Sequence, residues 1–161
     1  KTMGLVAFAR NEQTEERLQT AFADHAGIDK VYHAILAGIP ADREGTLVHT
    51  LLKNEEESFV RTVPEGTPGG RTAKLSYKIL KTKEGLALCE IRLFTGRTHQ
   101  IRVQMAALGC PVLGDDKYGD RELNRRYRCK DQQLLAKKLT IGEQTFVSCR
   151  ELSFPARRDE E

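Results

Sequence analysis

Arg97, His99 and Arg102 crowd into six positions of the chain, with Thr98 and Gln100 between them. A guanidinium binds carboxylate or phosphate through parallel hydrogen bonds, and an imidazole exchanges a proton near neutral pH. Such a group suits the grip of an anion or of an amide. His99 and Arg102 are three apart and would share one face of a helix. A solvated basic helix start has the same spacing, so spacing alone leaves both readings open.

These side chains need a platform, and the flanking sequence supplies one. Ala87, Cys89, Ile91 and Leu93 alternate with other residues, which predicts a strand over Leu86–Phe94 with one buried face. Thr95-Gly96 ends it. Thr98 is placed to cap a helix through its hydroxyl. Ile101, Met105 and Leu108 recur at helical spacing, Gly109 suits the left-handed exit, and Pro111 lies beyond. A strand turning sharply into a short helix, whose N-terminus adds partial positive charge, is the expected frame.

The rest of the chain reads as one domain over residues 1–161. Gly4–Ala9 is apolar and predicts a strand. Asn11 or Thr14 can open a helix with Leu18, Ala21 and Phe22 inward and Gly27 as its stop. Strands are expected at Val31–Leu36, Thr46–Leu52 and Phe59–Val63, with a solvated acidic turn at residues 54–57. Residues 64–70 form a Pro/Gly loop. Leu75, Tyr77 and Ile79 predict a strand that turns through Lys83-Glu84-Gly85 into the Leu86 strand as a hairpin. Pro111–Gly119 and the cationic stretch Asp120–Lys130 read as loops. Leu134–Ile141 and Thr145–Leu152 read as a closing hairpin, and 157–161 as a frayed end. Many strands with two helices, outside strict βαβ alternation, predict an α+β fold with a mixed, mostly antiparallel sheet and flanking helices.

Composition narrows the class. The hydrophobic fraction of 39% is ordinary, no apolar run approaches 18 residues, and no signal-peptide pattern is present, so no membrane partner is indicated. Cys89, Cys110, Cys129 and Cys149 are widely spaced without a C-x-x-C pair, which reads as free thiols in a reducing cytoplasm. A net charge of +3 permits a nucleic-acid partner without demanding one. No G-x-G-x-x-G, Walker loop or metal-ligand spacing appears.

The segment Thr95 to Gly119, TGRTHQIRVQMAALGCPVLGDDKYG, resembles the third signature of the RluA-type family of RNA pseudouridine synthases. Val31 to Gly38, preceded by Lys30, is similar to that family's K-x-Y-x-A…G segment. Thr2-Met3-Gly4-Leu5-Val6 resembles the tail of its R-L-D-x-x-T-x-G-L motif. Gln133-Leu134-Leu135-Ala136 follows its Q-x-L-H-A segment with Leu135 where a His is common, and Leu152–Pro155 follows its F-x-x-P ending loosely. The family nucleophile is the Asp of R-L-D-x-x-T. Aligned through Thr2, it would fall two places before Lys1. The expectation is therefore a piece of a longer enzyme, lacking the first strands of the fold and inactive alone.

The resemblance implies an isomerase that flips a uridine out of ribosomal or transfer RNA, detaches uracil from C1′ and rejoins it through C5, without cofactor or metal. It implies that Tyr32 stacks on the base and serves as general base; periodicity does not decide which face Tyr32 occupies. It implies that Arg102 pairs with the catalytic Asp, so that Arg102 here should face an empty acidic slot taken by water or an anion. Arg97 would hold a phosphate. Thr98, His99 and Gln100 would touch substrate or brace the turn, and Gly114 and Asp115 would shape a loop. Arg121, Arg125, Arg126 and Arg128 could track the RNA backbone or be merely solvated. A relative that keeps the cleft and binds RNA without catalysis is the alternative.

Overall fold

A computed structural model of the chain describes residues 1–24 and 27–157. The expected frayed end lies, apart from Arg157, outside the described residues. Eight strands and three helices follow in the order β1 (Met3–Gly4), α1 (Glu12–Asp24), β2 (Ile28–Ala37), β3 (Glu44–Asn54), β4 (Phe59–Val63), β5 (Arg71–Lys83), β6 (Leu86–Leu93), α2 (Gln100–Ala107), α3 (Arg121–Arg126), β7 (Leu134–Ile141) and β8 (Gln144–Val147). They build one sheet in the order β1-β7-β2-β6-β5-β3-β4, with β8 on β7. Among the described residues only β1 and β7 pair in parallel; the other pairs are antiparallel. The α+β fold with a mixed, mostly antiparallel sheet is thus as expected.

Strand β6 is the axis. Ala87, Cys89, Ile91 and Leu93 face one way, with Ala34 and Leu36 of β2 and Leu75, Tyr77 and Ile79 of β5, and α2 closes this face with Ile101 and Met105. Burial of each large aliphatic side chain here stabilises by about 1.5–3 kcal/mol. On the other face Ile35, Ala37 and Leu86 meet Leu113 and Tyr127, with Leu152 and Phe154 of the C-terminal segment packed against them. Gln104 pins α2 to the sheet: its Nε2 donates to the carbonyls of Ala73 and Leu47 and lies 2.9 Å from Nδ1 of His49.

Three local expectations are corrected. The apolar run Gly4–Ala9 pairs only as far as Gly4 in the two-residue β1. Leu5 still donates to the Ala136 carbonyl, but the chain then leaves the sheet edge and exposes Val6 and Phe8. Asp120–Lys130 contains a third helix, because Asp120 caps it by accepting from the Leu123 N–H; six residues are too few for periodicity to show. The closing strand stops at Val147 rather than Leu152, since the Leu152 and Phe154 side chains go to the second apolar cluster. Asn11, as expected, caps α1 by accepting from the Thr14 N–H. Among the described residues, no helix is long and apolar enough to cross a membrane.

Candidate active site

The β6-to-α2 turn is held by a side chain rather than by a capping hydroxyl. Gln100, almost fully buried, accepts from the Arg97 N–H (2.9 Å) and the Thr95 hydroxyl (2.8 Å) and donates to the Lys74 carbonyl (3.1 Å). Thr98 does not cap α2: His99 occupies the N-cap position, left-handed at φ 53° and without a side-chain cap bond. Thr98 instead faces a neighbouring hollow. With its polar atoms committed to the turn, Gln100 acts as its brace.

Arg102 does not face an empty acidic slot. Its Nε and Nη2 donate to the two carboxylate oxygens of Asp115 at 2.7 and 2.8 Å, and Nη2 also reaches Asp116 at 3.2 Å. Asp115 is fully buried. Its Oδ1 also accepts from the Lys117 and Tyr118 N–H groups at 2.9 and 3.0 Å. Burial opposes the Asp115 charge, but Arg102 and these two N–H groups outweigh it and hold the carboxyl below its ordinary range. The bond to Asp115 in turn raises the Arg102 pKa. The loop fits so tightly because a side chain at Gly114 (φ 81°) would strike the Asp131 carbonyl, and one at Gly119 the Asp115 carbonyl. The loop-shaping role expected of Gly114 and Asp115 is present. The partnership with Arg102 joins positions 13 apart, which no local pattern reports.

Arg102 also lies 5.1 Å over the Tyr118 ring. The Tyr118 hydroxyl accepts from the Val60 N–H (2.9 Å), so its own proton is free for Nδ1 of His99 at 2.8 Å. We assign the neutral His99 its proton on Nε2 on this basis. Burial, and after it the Arg102 and Lys117 charges, lowers the His99 pKa and keeps the ring neutral.

Tyr32 lies on the α2 face of β2, aligned with Ile91 of β6. It is half-buried, and desolvation pushes its hydroxyl above the usual phenol range, so it carries its proton at neutral pH. An open cleft of about 320 Å³ is lined by Tyr32, Arg97, His99, Gln100 and Arg102 together with Thr2 and Gln132, whose side chains share a 2.9 Å hydrogen bond. Five residues singled out from sequence thus meet in one place. Beside Tyr32, the buried Lys30 packs over the Phe22 ring at 5.5 Å.

The cationic stretch is placed elsewhere. Helix α3 packs through Leu123 and Tyr127 on the second apolar cluster, and the Tyr127 hydroxyl bonds the Glu84 carbonyl at the turn before β6. That is the far end of β6, roughly 24 Å from Leu93. Arg126 is spent on Glu122 at 3.1 Å, and neither Arg121, Arg125 nor Arg128 lines the cleft.

The profile of the RNA pseudouridylate synthase family matches residues 1–107. Ribosomal large subunit pseudouridine synthase C of Rickettsia conorii is 36% identical over 124 residues, 76% of this chain and 40% of that protein. RNA pseudouridine synthase 2, chloroplastic, of Arabidopsis thaliana is 34% identical, over 82% of this chain and 33% of its own length. The chain therefore spans well under half of these relatives. Human RNA pseudouridylate synthase domain containing 1 superposes with a TM-score of 0.72 at 24% identity, covering 95% of this chain and 69% of that one.

Proposed function

The chain belongs to the RNA pseudouridylate synthase family, and from that premise we propose that its parent protein converts uridine to pseudouridine in structured RNA. Large-subunit ribosomal RNA is the first substrate to test and transfer RNA the second. The observation that carries this is the single cleft joining Tyr32, Arg97, His99, Gln100 and Arg102. In the reaction the N1–C1′ bond breaks, the uracil turns, a C5–C1′ bond forms, and the C5 proton is lost while N1 gains one. Tyr32 offers an aromatic face to the extruded base. As a protonated phenol it can accept the C5 proton only after passing on its own.

The chemistry also needs a carboxylate at the cleft. Asp115 is spent on Arg102 and two backbone N–H groups, so it is not that group. Among the described residues, Nη1 of Arg102 has no partner and is the donor left for a carboxylate arriving beside Thr2. Among the described residues, the lining of the cleft carries no carboxylate. The test is a longer chain carrying R-L-D ahead of Thr2, assayed by chemical labelling of pseudouridine and primer extension on ribosomal and transfer RNA. No product on either RNA would overturn the proposal.

One observation favours the alternative of RNA binding without catalysis: Arg102 already has a complete carboxylate partner. Activity of the longer chain decides between the two. The free thiols Cys89, Cys110, Cys129 and Cys149 support a reducing compartment, and we place the parent in the cytoplasm, to be checked by cell fractionation.

A further inference from the structure

Arg97 stands on a ridge between two hollows. One is the cleft. The other, of about 300 Å³, lies between the β3–β4 hairpin and residues 96–98. Its polar lining comes from Lys53, Glu55, Arg71, Arg97 and Thr98, and its apolar floor from Leu51 and Val60. No residue read as functional from the sequence explains it beyond the shared Arg97 and Thr98.

Its charge is unbalanced. Arg97 commits only Nε, which donates to the Thr72 carbonyl at 2.8 Å. Neither Arg97 nor Arg71 forms an ion pair among the described residues. Glu55 is the one carboxylate in the lining, and it is engaged by Lys53 at 3.1 Å. Burial, and then the Arg71 charge, lowers the pKa of Arg97. Two guanidiniums that line one hollow, neither of them ion-paired among the described residues, are relieved by an anion shared by both. The Thr72 carbonyl fixes where Arg97 aims, so less side-chain entropy is lost when that anion arrives.

We propose that this second hollow is a subsite for the RNA strand next to the extruded uridine, with the backbone phosphate gripped by Arg71 and Arg97 and the adjoining nucleoside lying over Leu51 and Val60. The proposal rests on the function inferred above and goes beyond it by assigning Arg71 and Lys53 to substrate. Arg71 is a binding residue here and has no part in the chemistry at the base.

A longer chain containing these residues tests it, with a uridine stem-loop as the RNA. Arg71→Ala should weaken binding about tenfold at low salt. It should reduce the slope of log K against log salt by about 1, and raise KM with kcat retained. Arg71→Lys should restore most of the slope, which separates lost charge from lost folding. A neutral methylphosphonate at the phosphate beside the target uridine should remove the difference between wild type and Arg71→Ala. An unchanged slope and KM in Arg71→Ala, beside an active wild type, would overturn the subsite and leave the synthase reading intact. A wild-type chain that binds the stem-loop with an Arg71-dependent slope but makes no pseudouridine would support the subsite and sink the synthase reading. Full suppression of the slope difference by inorganic phosphate at millimolar concentration would assign the site to free phosphate and overturn an RNA role.

Discussion

Two arginine-bearing stretches sit at opposite ends of β6 and are built differently. At the Leu93 end, Arg97 is tethered by a backbone carbonyl and Arg102 by a buried carboxylate. At the Leu86 end, α3 carries more arginines per residue, but Arg125 has no ion pair among the described residues and Arg126 only an exposed one with Glu122. The first stretch holds its guanidiniums in fixed directions, and the second presents them to solvent. Charge count would rank the second above the first as a binding site. Anchoring ranks them the other way, because a held fork loses little side-chain freedom when it meets its ligand.

The comparison breaks most sharply at Asp115. Asp115→Asn leaves Arg102 without its buried counter-charge, and loss of one partner of such a pair costs about 3–5 kcal/mol. Urea unfolding should report that loss, and the full-length enzyme should lose uridine turnover because Arg102 is no longer aimed. A cost below about 1 kcal/mol would mean that Arg102 is held by something else.

Tyr32 gives the next effect. Tyr32→Ala should lose about 1–3 kcal/mol of RNA affinity through the missing stack. Tyr32→Phe should keep that affinity and lower turnover. Equal affinity in all three forms would remove the ring from the base-binding role.

Acid should act on the anchored end. Asp115 titrates below its unfolded value, so its stabilisation is complete above about pH 4 and is lost as pH falls through the folded value. His99 is also lowered, so the unfolded chain binds the extra proton and stability begins to fall below about pH 6.5. His99→Gln should flatten the upper part of that decline in a urea series against pH. A decline unchanged in His99→Gln would place the titrating group elsewhere.

The smallest effect belongs to α3. Arg125→Ala with Arg126→Ala should change stability by less than about 0.5 kcal/mol and leave the salt slope of RNA binding unaltered. A flattened slope would show that RNA also runs over the far end of β6.

Local chemistry made much of this legible in the sequence. The change from a period of two before Leu93 to helical spacing after Gln100 marks the strand-to-helix turn, and Asn11 announces α1 by its capping side chain. Tyr32, Arg97, His99, Gln100 and Arg102 were legible through the resemblance, which ties side chains that periodicity leaves unconnected. Long-range pairings were not legible. Arg102 with Asp115, His99 with Tyr118, His33 with Glu90 and Gln104 with His49 each join residues whose spacing means nothing until the sheet folds. The Asp120 cap of α3 was visible in principle, but the density of charge around it obscured a helix of two turns.

The sheet order bears on when the protein becomes competent. The hairpins β3–β4 and β5–β6 join neighbours in the chain, whereas β3 reaches β5 past β4 and β7 joins β2 across almost its whole length, with Ile28 opposite Ile141. Short loops close cheaply and pairings distant in sequence form late. Pulsed hydrogen exchange should therefore protect the β5–β6 amides before those of β2–β7. Gln132 and Leu134 enter the cleft only with that last closure, so a chain still being synthesised owns its hairpins and the hollow beside Arg97 before it owns the complete cleft beside Tyr32.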